Sequence, residues 1–212
     1  MKRLFSLALA AVSLPMLSFA QSQQDAHIQQ PSLSMQPAGG MQYESESSQA
    51  FQSMQETSYN NSAVSSFDLK RYLGRWYEIA RFDHSFERGM QNVMAEYSLK
   101  DDGMVKVLNS GWKDGKYKVA EGKARQPDPA GDPAHLEVSF FLFFYSDYNI
   151  LMLDKDYQIA LVGSKSPKYL WILSRTPQVP DSVMDKVLEE ASGRGYDIDK
   201  LIWVDQSANA DR

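Results

Sequence analysis

Val93-Met94-Ala95-Glu96-Tyr97-Ser98-Leu99, then Lys100-Asp101-Asp102-Gly103, then Met104-Val105-Lys106-Val107-Leu108-Asn109-Ser110: two runs rich in β-branched and aromatic residues flank an Asp-Gly turn signal. Such a segment is predicted to be an antiparallel hairpin, because successive side chains of a strand point to opposite faces. The same texture recurs in both directions along the chain. Residues 76–82 form a run upstream, and 117–124, 136–143, 148–153, 157–162 and 168–173 form runs downstream. Between them stand Asp114-Gly115, the proline-rich residues 127–133, Ser146-Asp147, Asp154-Lys155-Asp156 and residues 164–167. Eight short strands joined by hairpins predict an all-β fold, an eight-stranded up-and-down antiparallel barrel, which leaves no sheet edge exposed.

The C-terminal part reads differently. Pro180-Asp181-Ser182 is a helix-start signal, and Val183, Met184, Val187, Leu188 and Ala191 then fall on one face. Gly193 and Gly195 stop the helix, and residues 198–204 read as a ninth strand. The apolar stripe predicts an α-helix packed on the outside of the barrel.

Upstream of the barrel the composition changes twice. Lys2 and Arg3 precede an apolar run over residues 4–17, and Ser18-Phe19-Ala20 follows, so residues 1–20 read as a signal peptide cleaved before Gln21. Residues 21–66 are dominated by Gln, Ser, Met, Asn and Gly without a sustained period, which predicts a disordered tether. The folded domain is then expected over residues 67–206, with a tail at 207–212. The 212 residues contain no cysteine. Disulfides, thiolate metal sites and the cysteine of a bacterial lipid anchor are therefore not expected, and the protein is placed in the periplasm or outside the cell, not lipid-anchored. His27, His84 and His135 are scattered without a partner motif, so no metal site and no cofactor are expected. A net charge of −5 excludes the basic face that nucleic acid needs.

Three stretches then carry a resemblance. Gly74-Arg75-Trp76-Tyr77-Glu78-Ile79 opens the first strand, Asp154-Lys155-Asp156-Tyr157 precedes the seventh, and Arg175 ends the eighth. In this order they resemble the motifs of the lipocalins. Ile79-Ala80-Arg81-Phe82-Asp83-His84 and Phe86-Glu87-Arg88-Gly89 are similar to the bacterial branch related to apolipoprotein D. The resemblance implies binding, storage or transport of a small hydrophobic ligand, a fatty acid or lysophospholipid, in the bacterial cell envelope, without catalysis. An envelope scaffold is the alternative, and a lipid-modifying enzyme a weaker one, since no GxSxG elbow or Ser/His/Asp arrangement stands out.

It also implies that Gly74, Trp76, Asp154, Tyr157 and Arg175 are structural, with Arg175 stacked on Trp76 at the closed end. Alternation from Trp76 and Arg175 places Ala80, Tyr97, Asn109, Val138, Phe140, Tyr169 and Trp171 on the inner wall. Tyr97, Asn109 and Trp171 match pocket-lining positions in similar lipocalins. Tyr145 joins the expected site at the mouth. Arg88 and His84 on the first mouth loop read as partners for a phosphate or carboxylate, Arg88 equally as an exposed loop residue paired with Glu87 or solvent. The aromatic run over residues 140–145 is expected to leave rings outside, as a lid, a membrane contact or a homodimer interface.

Overall fold

The computed structural model describes residues 59–210. The expected signal peptide and most of the expected tether lie outside the described residues.

Nine strands follow one another: β1 (Gly74–Phe82), β2 (Gln91–Leu99), β3 (Val105–Lys113), β4 (Lys116–Arg125), β5 (His135–Phe141), β6 (Phe144–Leu153), β7 (Ile159–Gly163), β8 (Leu170–Ser174) and β9 (Leu201–Trp203). Each of the first seven pairs antiparallel with the next, and β1 pairs with both β8 and β2, closing the barrel. Beyond Tyr77, where β2 parts from β1, β9 takes its place beside Ala80, Arg81 and Phe82. Among the described residues two α-helices complete the fold: α1 (Leu69–Tyr72), a single turn before β1, and α2 (Asp181–Gly193) after β8. In α1 the Asp68 side chain accepts from the Lys70 N–H, the cap a one-turn helix needs.

Alternation sorts the apolar residues into two layers. Trp76, Val105, Val107, Ala124, Leu136 and Ile150 belong to the core inside the barrel. Ile79, Leu161, Leu170 and Ile172 face outward, where Met184, Val187 and Ala191 of α2 cover them. The helix is therefore the second wall of an outer core, as its stripe predicts.

The closed end is built as the motifs imply. The Arg175 guanidinium lies 3.9 Å from the Trp76 ring centroid. It also donates to the carbonyl oxygens of Arg75, Arg71, Tyr72 and Tyr157. Gly74 stands at φ +93°, a backbone conformation in which any side chain would be strained. The Asp154 carboxylate accepts from the Asp156 and Ile159 N–H groups and so fixes the turn before β7. Tyr157, at φ 59°, reaches across to accept from the Asp68 N–H.

Three expectations are corrected. The expected tether does not run free to residue 66. Val64 N–H donates to Ile150 O, Asn149 Nδ2 to Asn61 O, and Ala63 and Val64 pack on the inner core. Residues 59–66 form a strap bound to Asn149 and Ile150 of β6 and to Ser164 after β7. The expected loop at Ser146-Asp147 is strand, because Ser146 pairs with Val138 and Asp147 with Glu137; the turn falls at Leu142-Phe143. At the other end, residues 207–210 are no loose tail: Asn209 is buried and donates to Gln206 Oε1.

Candidate ligand-binding site

The inner face changes character along the barrel axis. Toward the closed end it is filled: Trp76, Ala124, Ile150 and Ala160 have no exposed surface, and Val105, Val107 and Leu136 have almost none. Toward the mouth, Ala120 and Ser146, whose strand partners are Asn109 and Val138, are exposed. Asn109, Val138, Tyr148 and Trp171 are half-buried. The barrel is thus a cup over a solid base. Its pairing is thinnest on one side, where β4 and β5 are joined only at Lys123, Ala124 and Arg125.

Near the closed end, three tyrosine hydroxyls form a chain. Tyr72 and Tyr148 are 2.7 Å apart, Tyr148 and Tyr97 3.0 Å. Burial pushes all three phenols up, Tyr97 to about 12, so the chain stays neutral at physiological pH. Asn109 stands one strand away, its Oδ1 shielded from solvent and without a hydrogen-bond partner among the described residues. A buried acceptor left unpaired is costly, so it invites a donor.

One wall of the cup is charged. Arg81 Nη1 donates to Glu78 Oε1 at 2.6 Å, and both side chains are buried. Arg81 Nη2 donates to Glu87 O, and Trp171 Nε1 donates to Glu87 Oε2 at 3.2 Å. His84 Nε2 comes within 3.0 Å of the same carboxylate, and its ring stacks on Phe86 at 3.9 Å. Burial first, then the neighbouring Glu87 charge, push the Glu78 carboxyl up to about 8, against the pull of Arg81.

This wall exists because of one irregularity. Glu78 pairs with Leu173, but Ala80 pairs with Ile172, so β1 carries one extra residue against β8. The bulge puts Ile79 and Ala80 both on the outer core and turns Arg81 inward, opposite Trp171. Ala80, expected in the pocket, lies outside it for that reason.

The other expected residues separate cleanly. Tyr97, Asn109, Val138, Tyr169 and Trp171 come together on the inner face, the last two with rings stacked 6.0 Å apart. Phe140 is half exposed at the rim, its ring against Gly122, where an added Cβ would meet it at 2.8 Å. Tyr145 is corrected to the outer surface, beneath Lys123 at 5.6 Å and Arg125 at 4.3 Å. Arg88 is an exposed loop residue, bound through Nε and Nη2 to Asp83 and not to Glu87. His84 is no exposed anion contact either, being buried against Glu87 and Trp171. Arg81 and Glu87 escaped the sequence reading. For Arg81 the signal was Glu78, an opposite charge three residues before it, a spacing that shares a strand face only across a bulge; Glu87 lies in the loop after the strand and carried none.

Residues 67–206 match the family model described as a lipocalin-like domain. The outer membrane lipoprotein Blc of Escherichia coli (strain K12) is 51% identical over 145 residues, which cover 68% of this chain and 81% of the relative. Apolipoprotein D of Mus musculus is 37% identical over 150 residues, covering 66% and 78%. Insecticyanin of the tobacco hornworm Manduca sexta superposes with a TM-score of 0.59 at 24% identity, over 70% of this chain and 86% of that one, a likeness of fold. The bacterial relative is named an outer membrane lipoprotein, which overturns the expectation of an unanchored protein in the periplasm or outside the cell. A missing cysteine speaks of one attachment chemistry, not of whether the barrel works at a membrane.

Proposed function

The chain belongs to the lipocalin family, whose members bind small hydrophobic molecules and are generally not enzymes, and we propose that its own ligand is a single-chain lipid, a fatty acid or lysophospholipid, of the bacterial cell envelope. The observation that carries this reading is the cup: inward-facing residues that are packed toward the base and open toward the mouth. An acyl chain fits the aromatic and aliphatic wall of Tyr97, Val138, Tyr148 and Trp171. The unpaired Asn109 Oδ1 offers an acceptor to a hydroxyl or amide of the ligand. Burying about 14 methylenes at ~0.8 kcal/mol each gives roughly 11 kcal/mol, and association costs of ~4 kcal/mol or more leave micromolar binding. That suits a carrier, which must also release its cargo.

The reading is tested by mass spectrometry of lipid co-purified with gently isolated protein, followed by tryptophan-fluorescence titration with a lysophospholipid. Recovery of single-chain lipid and saturable micromolar binding support it. An empty barrel that binds no such lipid overturns it in favour of a scaffold.

We further propose that the mouth docks on a bilayer surface to exchange that lipid. Phe141, Leu142, Phe143 and Phe144 at one hairpin tip and Trp112 and Tyr117 at its neighbour are exposed. Lys113, Lys116 and Lys118 are interleaved on the second tip. Aromatic residues beside lysines suit the interface of an anionic membrane. Phe143→Glu should weaken sedimentation with phosphatidylglycerol vesicles several-fold without lowering the melting temperature. Unchanged vesicle binding, or conversion of a dimer to a monomer instead, would assign the patch elsewhere.

A further inference from the structure

The outer wall holds a second cluster that the lipid-binding reading does not use. His135 and Glu137 are two apart on β5 and so share a face, and Glu137 pairs directly with Asp147 of β6. One donor atom of each side chain lies within 4.8 Å of the others, and all three residues are half-buried. His135 reads as isolated in the sequence because two of its partners, Asp147 and Asn149, come from across the β5–β6 hairpin.

We propose that His135, Glu137 and Asp147 form a site for a divalent transition-metal ion of the zinc type. Proximity alone would not carry this; the orientation of the imidazole does. His135 Nδ1 lies 2.6 Å from Asn149 Oδ1. Asn149 Nδ2 donates to Asn61 O at 3.1 Å, so the amide is held with its oxygen toward the ring. Nδ1 must then carry the hydrogen, and Nε2 of the neutral ring presents a lone pair. That lone pair faces Asp147 Oδ1 at 3.8 Å, an acceptor opposite an acceptor, which only a proton or a cation makes favourable. A histidine whose second nitrogen is hydrogen-bonded and fixed is the arrangement that orients imidazole toward a metal.

Glu137 has an oxygen to give. Arg125 binds it through Nε at 2.7 Å and Nη2 at 2.6 Å, both to Oε2, leaving Oε1 for an ion. Zinc bonds of about 2.0–2.2 Å place tetrahedral donors roughly 3.3 Å apart, so side-chain rotations that close about an ångström complete the set, with water as fourth ligand. One imidazole and two carboxylates are a borderline nitrogen–oxygen set that suits zinc or its neighbours better than calcium or copper(I). The Arg125 charge offsets one carboxylate and keeps the affinity modest. Through Asn149 the ion would also firm the contact with the strap at Asn61.

The full chain, stripped with chelator, is titrated with zinc by calorimetry and with cobalt(II) by visible absorption. One equivalent of zinc should bind and raise the melting temperature, and cobalt should give the intense bands of a low-coordinate site. His135→Ala and Asp147→Asn should each weaken zinc binding at least tenfold while keeping the parent's melting temperature in chelator, and His27→Ala should leave binding unchanged. No zinc binding by the parent, or binding that survives both substitutions, overturns the site. Lipid titration of the same variants is expected to match the parent, so failure here and failure of the lipid reading are told apart.

Discussion

Ile79 is one residue more than the opposing strand can pair, and the charged wall of the cup follows from it. Without the bulge, Ala80 would face the interior and Arg81 the helix layer; with it, Arg81 meets Glu78 inside. The buried pair is tied to pH. Glu78 holds its proton to about 8 when folded, against an ordinary value of 4.5. Between those values the folded state binds more protons than the unfolded one, so the carboxyl lowers stability progressively as pH rises from about 4.5 to about 8. Glu78→Gln keeps an acceptor for Arg81 and removes the titration. Its melting temperature should therefore fall less steeply across that range than the parent's, with the variant relatively most favoured at the alkaline end. Parallel profiles would show that Glu78 is ionised throughout. Period-two alternation was enough to place Trp76, Tyr97, Trp171 and Arg175, because no irregularity separates each of them from its neighbours on the same face. It failed for Ala80, since the extra residue is defined by pairing with β8 and its one mark in β1, the three-residue spacing of Glu78 and Arg81, does not say which residue is the extra one.

At the scale of elements, composition misjudged the segment that looks least like structure. Residues 59–66 continue the polar texture upstream, yet their asparagine and serine groups meet partners that only the folded barrel provides. Arg194, which ends α2, is the main anchor: it donates to Asn60 O and Ser62 O of the strap, to Leu151 O of β6 and to Glu190 Oε1. Helix, strap and barrel wall thus share one guanidinium. Arg194→Ala should cost ~1–3 kcal/mol, because it leaves several carbonyl oxygens short of a donor. Amide exchange at Val64, whose N–H bonds Ile150 O, should quicken while lysophospholipid binding is kept. Unchanged exchange at Val64 would mean that apolar packing of Ala63 and Val64 holds the strap by itself. The helix, by contrast, was legible, since its stripe at Met184, Val187 and Ala191 has a period that local sequence fully determines.

At the scale of the whole fold, the described residues form two cores divided by one sheet, and the division makes the site testable with a pair of substitutions. The outer core, between the barrel wall and α2, is closed: Ala80 is fully buried there among Ile172, Val187 and their neighbours. The inner core is packed toward the closed end, and toward the mouth Ala120 is exposed on the inward face beside Asn109. A large ring added at each alanine therefore meets opposite conditions. Ala80→Phe must force α2 from the wall, an overpacking worth ~1–3 kcal/mol, and should lower the melting temperature by several degrees while the folded fraction binds lysophospholipid as the parent does. Ala120→Trp enters open space, so it should melt within about two degrees of the parent and lose at least tenfold in affinity, as the ring occupies the room an acyl chain needs. Calorimetric titration with lysophospholipid, run beside thermal unfolding, reads both quantities on each variant. The crossed outcome, with Ala80→Phe blocking binding and Ala120→Trp leaving it intact, would place the lipid between the helix and the wall and empty the cup of its role.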